Sequence, residues 1–241
     1  MKTCKSLSIV HCQLSIYWDG FVSLFFPPLC AACDGVLLHQ EHLLCASCSF
    51  RLPVNDQHLF AENEAVRRLR GKADVSMASA YLSFTKSSSV QSLIHKLKYQ
   101  RRRDVGLFLG EQLGRELAKS PLYATVDLIV PIPIHKKKLR IRGYNQSEQI
   151  ALGISKAMGL PVDTQSFVRS VHKESQTRQQ RLDRYENVEN VFACADPERI
   201  KDRHILLVDD VLTTGATMAS AIATLKKAAG CEVSVATLAI A

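Results

Sequence analysis

Ile205-Leu206-Leu207-Val208-Asp209-Asp210-Val211-Leu212-Thr213-Thr214-Gly215-Ala216-Thr217 is the stretch whose reading decides the fold. Four apolar residues run into two adjacent acids. A short apolar step then leads to a Thr-Thr-Gly-x-Thr turn, and a helical pattern follows. The apolar run reads as a strand buried on both faces, the habit of a parallel sheet. The turn has the parts of a phosphate cradle. Gly215 lets the backbone approach an anion, and Thr213, Thr214 and Thr217 offer hydroxyl donors. A helix starting near Thr217 aims unpaired N–H groups and its positive dipole end at the same spot. The two acids cannot hold the phosphate, but they can accept hydrogen bonds from sugar hydroxyls beside it. The segment is suited to a phosphorylated sugar; the bland alternative is a tight turn with an N-cap Thr.

Working outward, strands alternate with helices, which predicts an α/β domain with a parallel sheet. Strand patterns cover Ala78–Phe84, Leu128–Pro133 and Val233–Ile240. Helical periodicity covers Ser88–Tyr99, a second helix from an Asp104 cap to about Lys119, Asn145–Met158 before Gly159, and Thr217–Ala229 before Gly230. In the second helix Leu107, Phe108, Leu113 and Leu117 form the expected apolar face. Ligands of such sheets bind at the carboxyl ends of the strands, where the 213–217 turn falls.

N-terminal to this domain, Cys30-x-x-Cys33 and Cys45-x-x-Cys48 stand 11 residues apart. Two such pairs can wrap one tetrahedral Zn2+ through four thiolates. Two disulfides or a redox dithiol are the other readings; a reducing compartment disfavours the first. So small a module has little core, so a structural zinc would supply its folding energy. The expected division is 1–20 unassigned, 21–53 zinc module, 54–76 a linker with a short helix, and 77–241 the α/β domain. No apolar run is long enough for a membrane span, and the N-terminus is a poor signal peptide, so a cytoplasmic location is expected.

The chain has 241 residues and a formal charge of +8, and its 46% hydrophobic content argues against disorder. Two basic clusters stand out: Lys96, Lys98, Arg101, Arg102 and Arg103, and Lys136, Lys137, Lys138, Arg140 and Arg142. Each is a solvated surface or a polyanion site. The second follows Val130-Pro131-Ile132-Pro133, a Pro-braced loop at the end of a strand. Backbone N–H groups there, around Pro131 and Ile132, with Lys137, Arg140 and Arg142, are expected to face pyrophosphate. The first cluster lies far from that loop in sequence and is expected to serve nucleic acid. The polar stretch 172–190 is either a lid or a surface loop.

The segment 205–217 resembles the phosphoribosyl pyrophosphate (PRPP) motif of type I phosphoribosyltransferases. Three further features narrow the resemblance: the four cysteines, Arg140-Ile141-Arg142-Gly143-Tyr144-Asn145-Gln146, and Gln176 with Arg181, Arg184, Asn187, Asn190, Val191 and Phe192. Together they resemble the competence protein F family, which joins a zinc module to a phosphoribosyltransferase-like domain. The resemblance implies that Asp209 and Asp210 are the catalytic acids and hold the ribose hydroxyls. It implies that Thr213, Thr214, Gly215, Ala216 and Thr217 hold the 5′-phosphate, and that Mg2+ arrives with PRPP. It favours an enzyme similar to amidophosphoribosyltransferases, linked to DNA uptake or nucleotide metabolism. Enzymes that salvage 6-oxopurines carry an acid where this chain has Thr213, which cannot act as a carboxylate base. No glutaminase domain is expected. The alternative is a non-catalytic PRPP sensor that binds single-stranded DNA beside competence or DNA-uptake proteins; the low aromatic content, 7%, offers few stacking platforms for it.

Overall fold

In the computed structural model residues 26–85, 88–170 and 191–241 are described. The chain divides between Arg51 and Leu52 into two compact units.

In the first unit Cys30 and Cys33 sit on a tight turn, held by Cys30 N donating to Gly35 O (2.8 Å) and Asp34 N to Cys30 O (3.0 Å). Ala31 N donates to Leu43 O, which returns the chain toward the second cysteine pair. Helix α1 (Ala46–Phe50) follows, capped by Cys45. The Glu41 carboxylate accepts Leu38 N (2.8 Å) and Ala46 N (2.6 Å), pinning the loop at both ends. Those two N–H groups also hold its carboxyl below the usual range.

In the second unit, β1 (Ala78–Ser83), β2 (Leu128–Pro131), β5 (His204–Leu212) and β6 (Glu232–Ile240) form one sheet in the order β1-β6-β5-β2. Every pairing in it is parallel. A small antiparallel pair, β3 (Phe167–Arg169) and β4 (Phe192–Cys194), stands apart from it. The helices are α2 (Glu64–Leu69), α3 (Ser89–Tyr99), α4 (Arg103–Lys119), α5 (Lys136–Arg142), α6 (Gln146–Met158) and α7 (Ala216–Ala229). Successive residues of β5 serve opposite faces. Ile205 and Leu207 join one core with Met218, Ile222 and Leu225 of α7. Leu206 and Val208 are equally buried, on the opposite face of the strand.

α4 and α6 pack unusually close. A Cβ placed on Gly110 would lie 2.3 Å from Ile150 O, and one on Gly153 would lie 2.3 Å from Leu107 O. This corrects two expectations about α4. Its buried face is Val105, Gly106, Leu109, Gly110, Leu113, Gly114 and Leu117, so Leu107 turns outward, 40% exposed, and Phe108 is only half-buried. Asp104 is not the cap either; it lies in the first turn and takes a forked contact from Arg102. The 136–142 stretch, given no element from the sequence, is a short helix closed by Gly143 at φ 79°.

Residues 54–76, expected as a linker, are packed into the second unit. Asn55 N donates to Tyr81 O (2.7 Å), and Asn63 caps α2 through Val66 N while its amide donates to Ala78 O (2.8 Å). Ala65 and Leu69 of α2 are fully buried. Their polar neighbours hid this: Glu64, Arg67, Arg68 and Arg70 dilute the apolar pattern of a six-residue helix.

Candidate functional site

β5 ends where a cleft of about 220 Å³ opens at the carboxyl ends of the parallel strands. Asp209 and Asp210 form part of its lining. Asp209 Oδ1 accepts the Ser147 hydroxyl and the Asp210 N–H, both at 2.8 Å. Burial, and then the adjacent Asp210 charge, push the Asp209 carboxyl up from 3.8 to about 7. Asp210 is paired differently: Lys98 Nζ stands 3.0 Å from its Oδ1.

Lys98 therefore departs from the expected division of the basic clusters. It lies at the carboxyl end of α3 and lines the cleft, although its cluster is remote in sequence from the loop after β2 and from α5. The rest of that cluster disperses. Lys96 is buried, Arg102 pairs with Asp104, and Arg103 donates to Gly143 O and lies 5.0 Å over the Tyr144 ring.

The second cluster divides as well. Lys138 and Arg142 line the cleft, whereas Lys137 and Arg140 are exposed on α5 and are not among its lining. Seven residues of helix carry side chains around the full circle, so only part of a basic run can face one way. The expectation of backbone donors at Pro131 and Ile132 also changes. Pro131 has no N–H, and Ile132 N donates to Val208 O at 2.8 Å, extending the sheet. Ile134 and His135, which line the cleft, have N–H groups without a partner among the described residues.

Asn145 joins the two halves of this wall. Its amide donates to Ile132 O (3.0 Å) and its oxygen caps α6 through Ser147 N (3.2 Å). Gln146 is nearly fully buried and lines the cleft. Its Oε1 accepts Arg142 Nη1 at 2.7 Å; since guanidinium only donates, the amide orientation is set. Gln146 Nε2 is then left buried without a partner among the described residues. An orphaned buried donor at a polar cleft points to a ligand oxygen.

The 213–217 turn closes the other side. Gly215 adopts φ +81°, which a side chain resists, and α7 begins at the next residue. Thr214 Oγ1 accepts Ala216 N at 3.4 Å, and Thr217 lines the cleft. Asp209, Asp210, Thr217, Ile132 and Arg142 thus share one cleft, with Thr213, Thr214, Gly215 and Ala216 on the turn leading into it. Lys98, Ser147 and Arg169 join them without having been assigned to it from sequence, and Lys138 comes from the basic run 136–142 that was expected there. Gln176, Arg181, Arg184, Asn187, Asn190 and the expected lid at 172–190 lie outside the described residues. Phe192 is buried and stacks on Phe167, centroids 5.1 Å apart.

In the first unit the Cys30, Cys33, Cys45 and Cys48 sulfurs all lie within 4.8 Å of one another. Cys33 and Cys45 are 3.9 Å apart, close to the ~3.8 Å between sulfurs that each sit ~2.3 Å from one tetrahedral zinc. Burial opposes ionisation of Cys30, yet N–H groups of Cys45, Cys33 and Ala32 bring its thiol down to about 6. Burial and the neighbouring sulfurs push Cys48 up. Four thiols crowded together with N–H···S bonds suit a thiophilic cation. Among the described residues no helix is long and apolar enough to cross a membrane.

Residues 145–240 match the phosphoribosyl transferase domain family. DNA utilization protein YhgH of Salmonella typhi is 30% identical over 130 residues, 53% of this chain and 56% of that protein. YhgH of Escherichia coli K12 is 26% identical over 199 residues, 79% of this chain and 81% of the relative. Competence protein F of Haemophilus influenzae is 28% identical over 130 residues, 52% and 57% of the two chains. The match thus spans little more than half the length of the Salmonella and Haemophilus relatives. Among solved structures, the glutamine PRPP amidotransferase of B. subtilis complexed with ADP and GMP superposes with a TM-score of 0.43 at 18% identity. That superposition covers 60% of this chain and 30% of the other.

Proposed function

We propose that this chain, a phosphoribosyltransferase-like protein of the competence protein F family, binds PRPP with Mg2+ in the cleft and transfers its phosphoribosyl group to an amine. The observation that carries the reading is the convergence on one cleft of the acid pair, the Gly215 turn and a wall of cations. Asp209 and Asp210 would accept the ribose hydroxyls. Residues 213–217 would hold the 5′-phosphate. Lys98, Lys138 and Arg142, with the Ile134 and His135 N–H groups, would face pyrophosphate; Lys137 and Arg140 would add to the field from the outer face of α5. Gln146 Nε2 would donate to a ligand oxygen. Magnesium would travel on PRPP oxygens and balance their charge.

In the transfer, the bond from ribose C1 to the pyrophosphate oxygen breaks and the amine nitrogen bonds C1. The electron pair leaves with pyrophosphate, and the new ammonium nitrogen gives up its proton to solvent. The acids would stabilise positive charge developing on the sugar. The amine as acceptor fits Thr213, which stands where a 6-oxopurine enzyme has its acid. In the first unit we assign structural Zn2+ to Cys30, Cys33, Cys45 and Cys48. The test is pyrophosphate release from PRPP with ammonia, amines and nucleobases, alongside PRPP-dependent thermal stabilisation. Stabilisation by PRPP and release with an amine are expected. If PRPP neither stabilises the protein nor displaces labelled pyrophosphate, the reading is wrong.

One observation favours a second reading, a PRPP-sensing protein that also binds single-stranded DNA. Tyr99 is exposed and next to Lys98; the Arg142 guanidinium lies 5.3 Å over its ring, and His95 lies 5.0 Å away. An exposed ring among cations at the cleft rim suits a stacked base beside a phosphate. The relatives named for DNA utilization and competence point the same way. Tyr99→Ala should then weaken oligonucleotide binding while PRPP still binds; unchanged DNA affinity removes this reading.

A further inference from the structure

The phosphate turn is gripped from behind by two cations of the segment that the sequence presents as a linker. Arg68 Nη1 donates to Thr213 O at 3.0 Å and approaches Leu212 O at 3.5 Å. Glu64 fixes the same guanidinium, accepting its Nη2 at 2.6 Å. Lys72 Nζ donates to Thr214 O at 2.7 Å. Beneath them Leu69 is fully buried, and a Cβ on Gly215 would meet its Cδ2 at 3.0 Å.

A trans peptide is planar, with C=O and N–H pointing in opposite directions. Holding Thr213 O toward Arg68 therefore turns the Thr214 N–H away from Arg68. Holding Thr214 O toward Lys72 does the same for the Gly215 N–H. Neither N–H has a hydrogen-bond partner among the described residues. Successive N–H groups facing one way, ahead of the start of α7, make an anion-binding concavity. Two charge-assisted bonds to carbonyls also polarise these peptides, which strengthens their N–H groups as donors.

We propose that Arg68 and Lys72 are positioning residues for the 5′-phosphate, acting through the peptide planes of the 213–215 turn. The inference rests on the PRPP reading of that turn and adds a second element, α2 and the turn after it, to the site. Arg68 has the larger part, because it is half-buried, fixed by Glu64 and reaches two carbonyls. Lys72 is exposed, and its contribution is smaller.

The test uses the full chain and two magnesium-loaded probes, ribose 5-phosphate and pyrophosphate, with binding followed calorimetrically. Arg68→Met with Lys72→Met should weaken ribose 5-phosphate on the order of tenfold and leave pyrophosphate within about twofold. Arg68→Lys should recover part of the loss, since a shorter cation still reaches toward one carbonyl. Retained pyrophosphate binding shows that the variant is folded. Should the double variant unfold, Lys72→Met alone, an exposed change, should still weaken ribose 5-phosphate selectively. Equal loss of both probes, or no loss of ribose 5-phosphate, overturns the inference while the PRPP reading stands. If the unaltered protein binds neither probe, the PRPP reading falls and this inference with it.

Discussion

Asp209→Asn separates what the site does for a ligand from what it costs the fold. Holding an acid at about 7 instead of 3.8 penalises its ionised form by at most about 4 kcal/mol, at 1.36 kcal/mol per unit of pKa. The penalty comes first from burial and then from the Asp210 charge. Asparagine keeps an Oδ1 for the Ser147 hydroxyl and the Asp210 N–H, which now share that atom at 2.8 Å, and removes the charge. Below about pH 4 the wild-type acid is protonated both folded and unfolded, and it adds no penalty. Between about 4 and 7 the unfolded chain ionises while the folded chain keeps its proton, so stability falls as pH rises. Above 7 the penalty is complete. Urea midpoints at pH 5, 6, 7 and 8 should therefore diverge, with the Asn variant more stable than wild type by the largest margin at pH 8. Both proteins carry the same cysteine module, so its own pH dependence cancels in the comparison. PRPP should meanwhile bind the variant at least tenfold more weakly, one charged hydrogen-bond acceptor being lost. A stability difference that is flat from pH 5 to 8 would refute the assignment of Asp209 as a strained acid.

Lys98→Met should weaken PRPP about tenfold, because Lys98 faces Asp210 in the cleft; a change confined to DNA binding would restore the sequence-based division of the two clusters. Purified, chelator-free protein should contain one zinc per chain, and Cys48→Ser should lose it and become protease-sensitive in the first unit; metal analysis that finds no zinc in the unaltered protein counts against the site. Gly110→Ala should lower the melting temperature by several degrees. Helix propensity would favour alanine by ~1 kcal/mol, but a Cβ 2.3 Å from Ile150 O forces α4 and α6 apart, at ~1–3 kcal/mol or more; a raised melting temperature would show that the close packing gives easily.

The sequence by itself determined whatever is local or periodic. The strand–acid–turn–helix order of 205–217 forms one continuous piece of chain, so its atoms meet however the rest packs. The same holds for each Cys-x-x-Cys turn, and for α6, whose Asn145 cap and Gly159 stop are read directly from residue type. The parallel sheet followed from alternation of patterns. Tertiary structure alone decided which remote groups face that turn. Lys98 meets Asp210 across 112 positions of sequence, and Arg68 meets Thr213 across 145, and no periodicity encodes such a pairing. The face of α4 was likewise only partly decidable from hydropathy. Leu113 and Leu117 were legible, but much of the buried stripe is glycine (Gly106, Gly110 and Gly114), which scores as neither apolar nor polar, and the approach of α6 leaves Leu107 outward. Nor did the basic run 136–142 state which of its cations would point inward. A helix turns each residue by about 100°, and Arg142 faces Gln146, whose helix is tied by Asn145 to Ile132 O just past β2, a pairing no run of charges states.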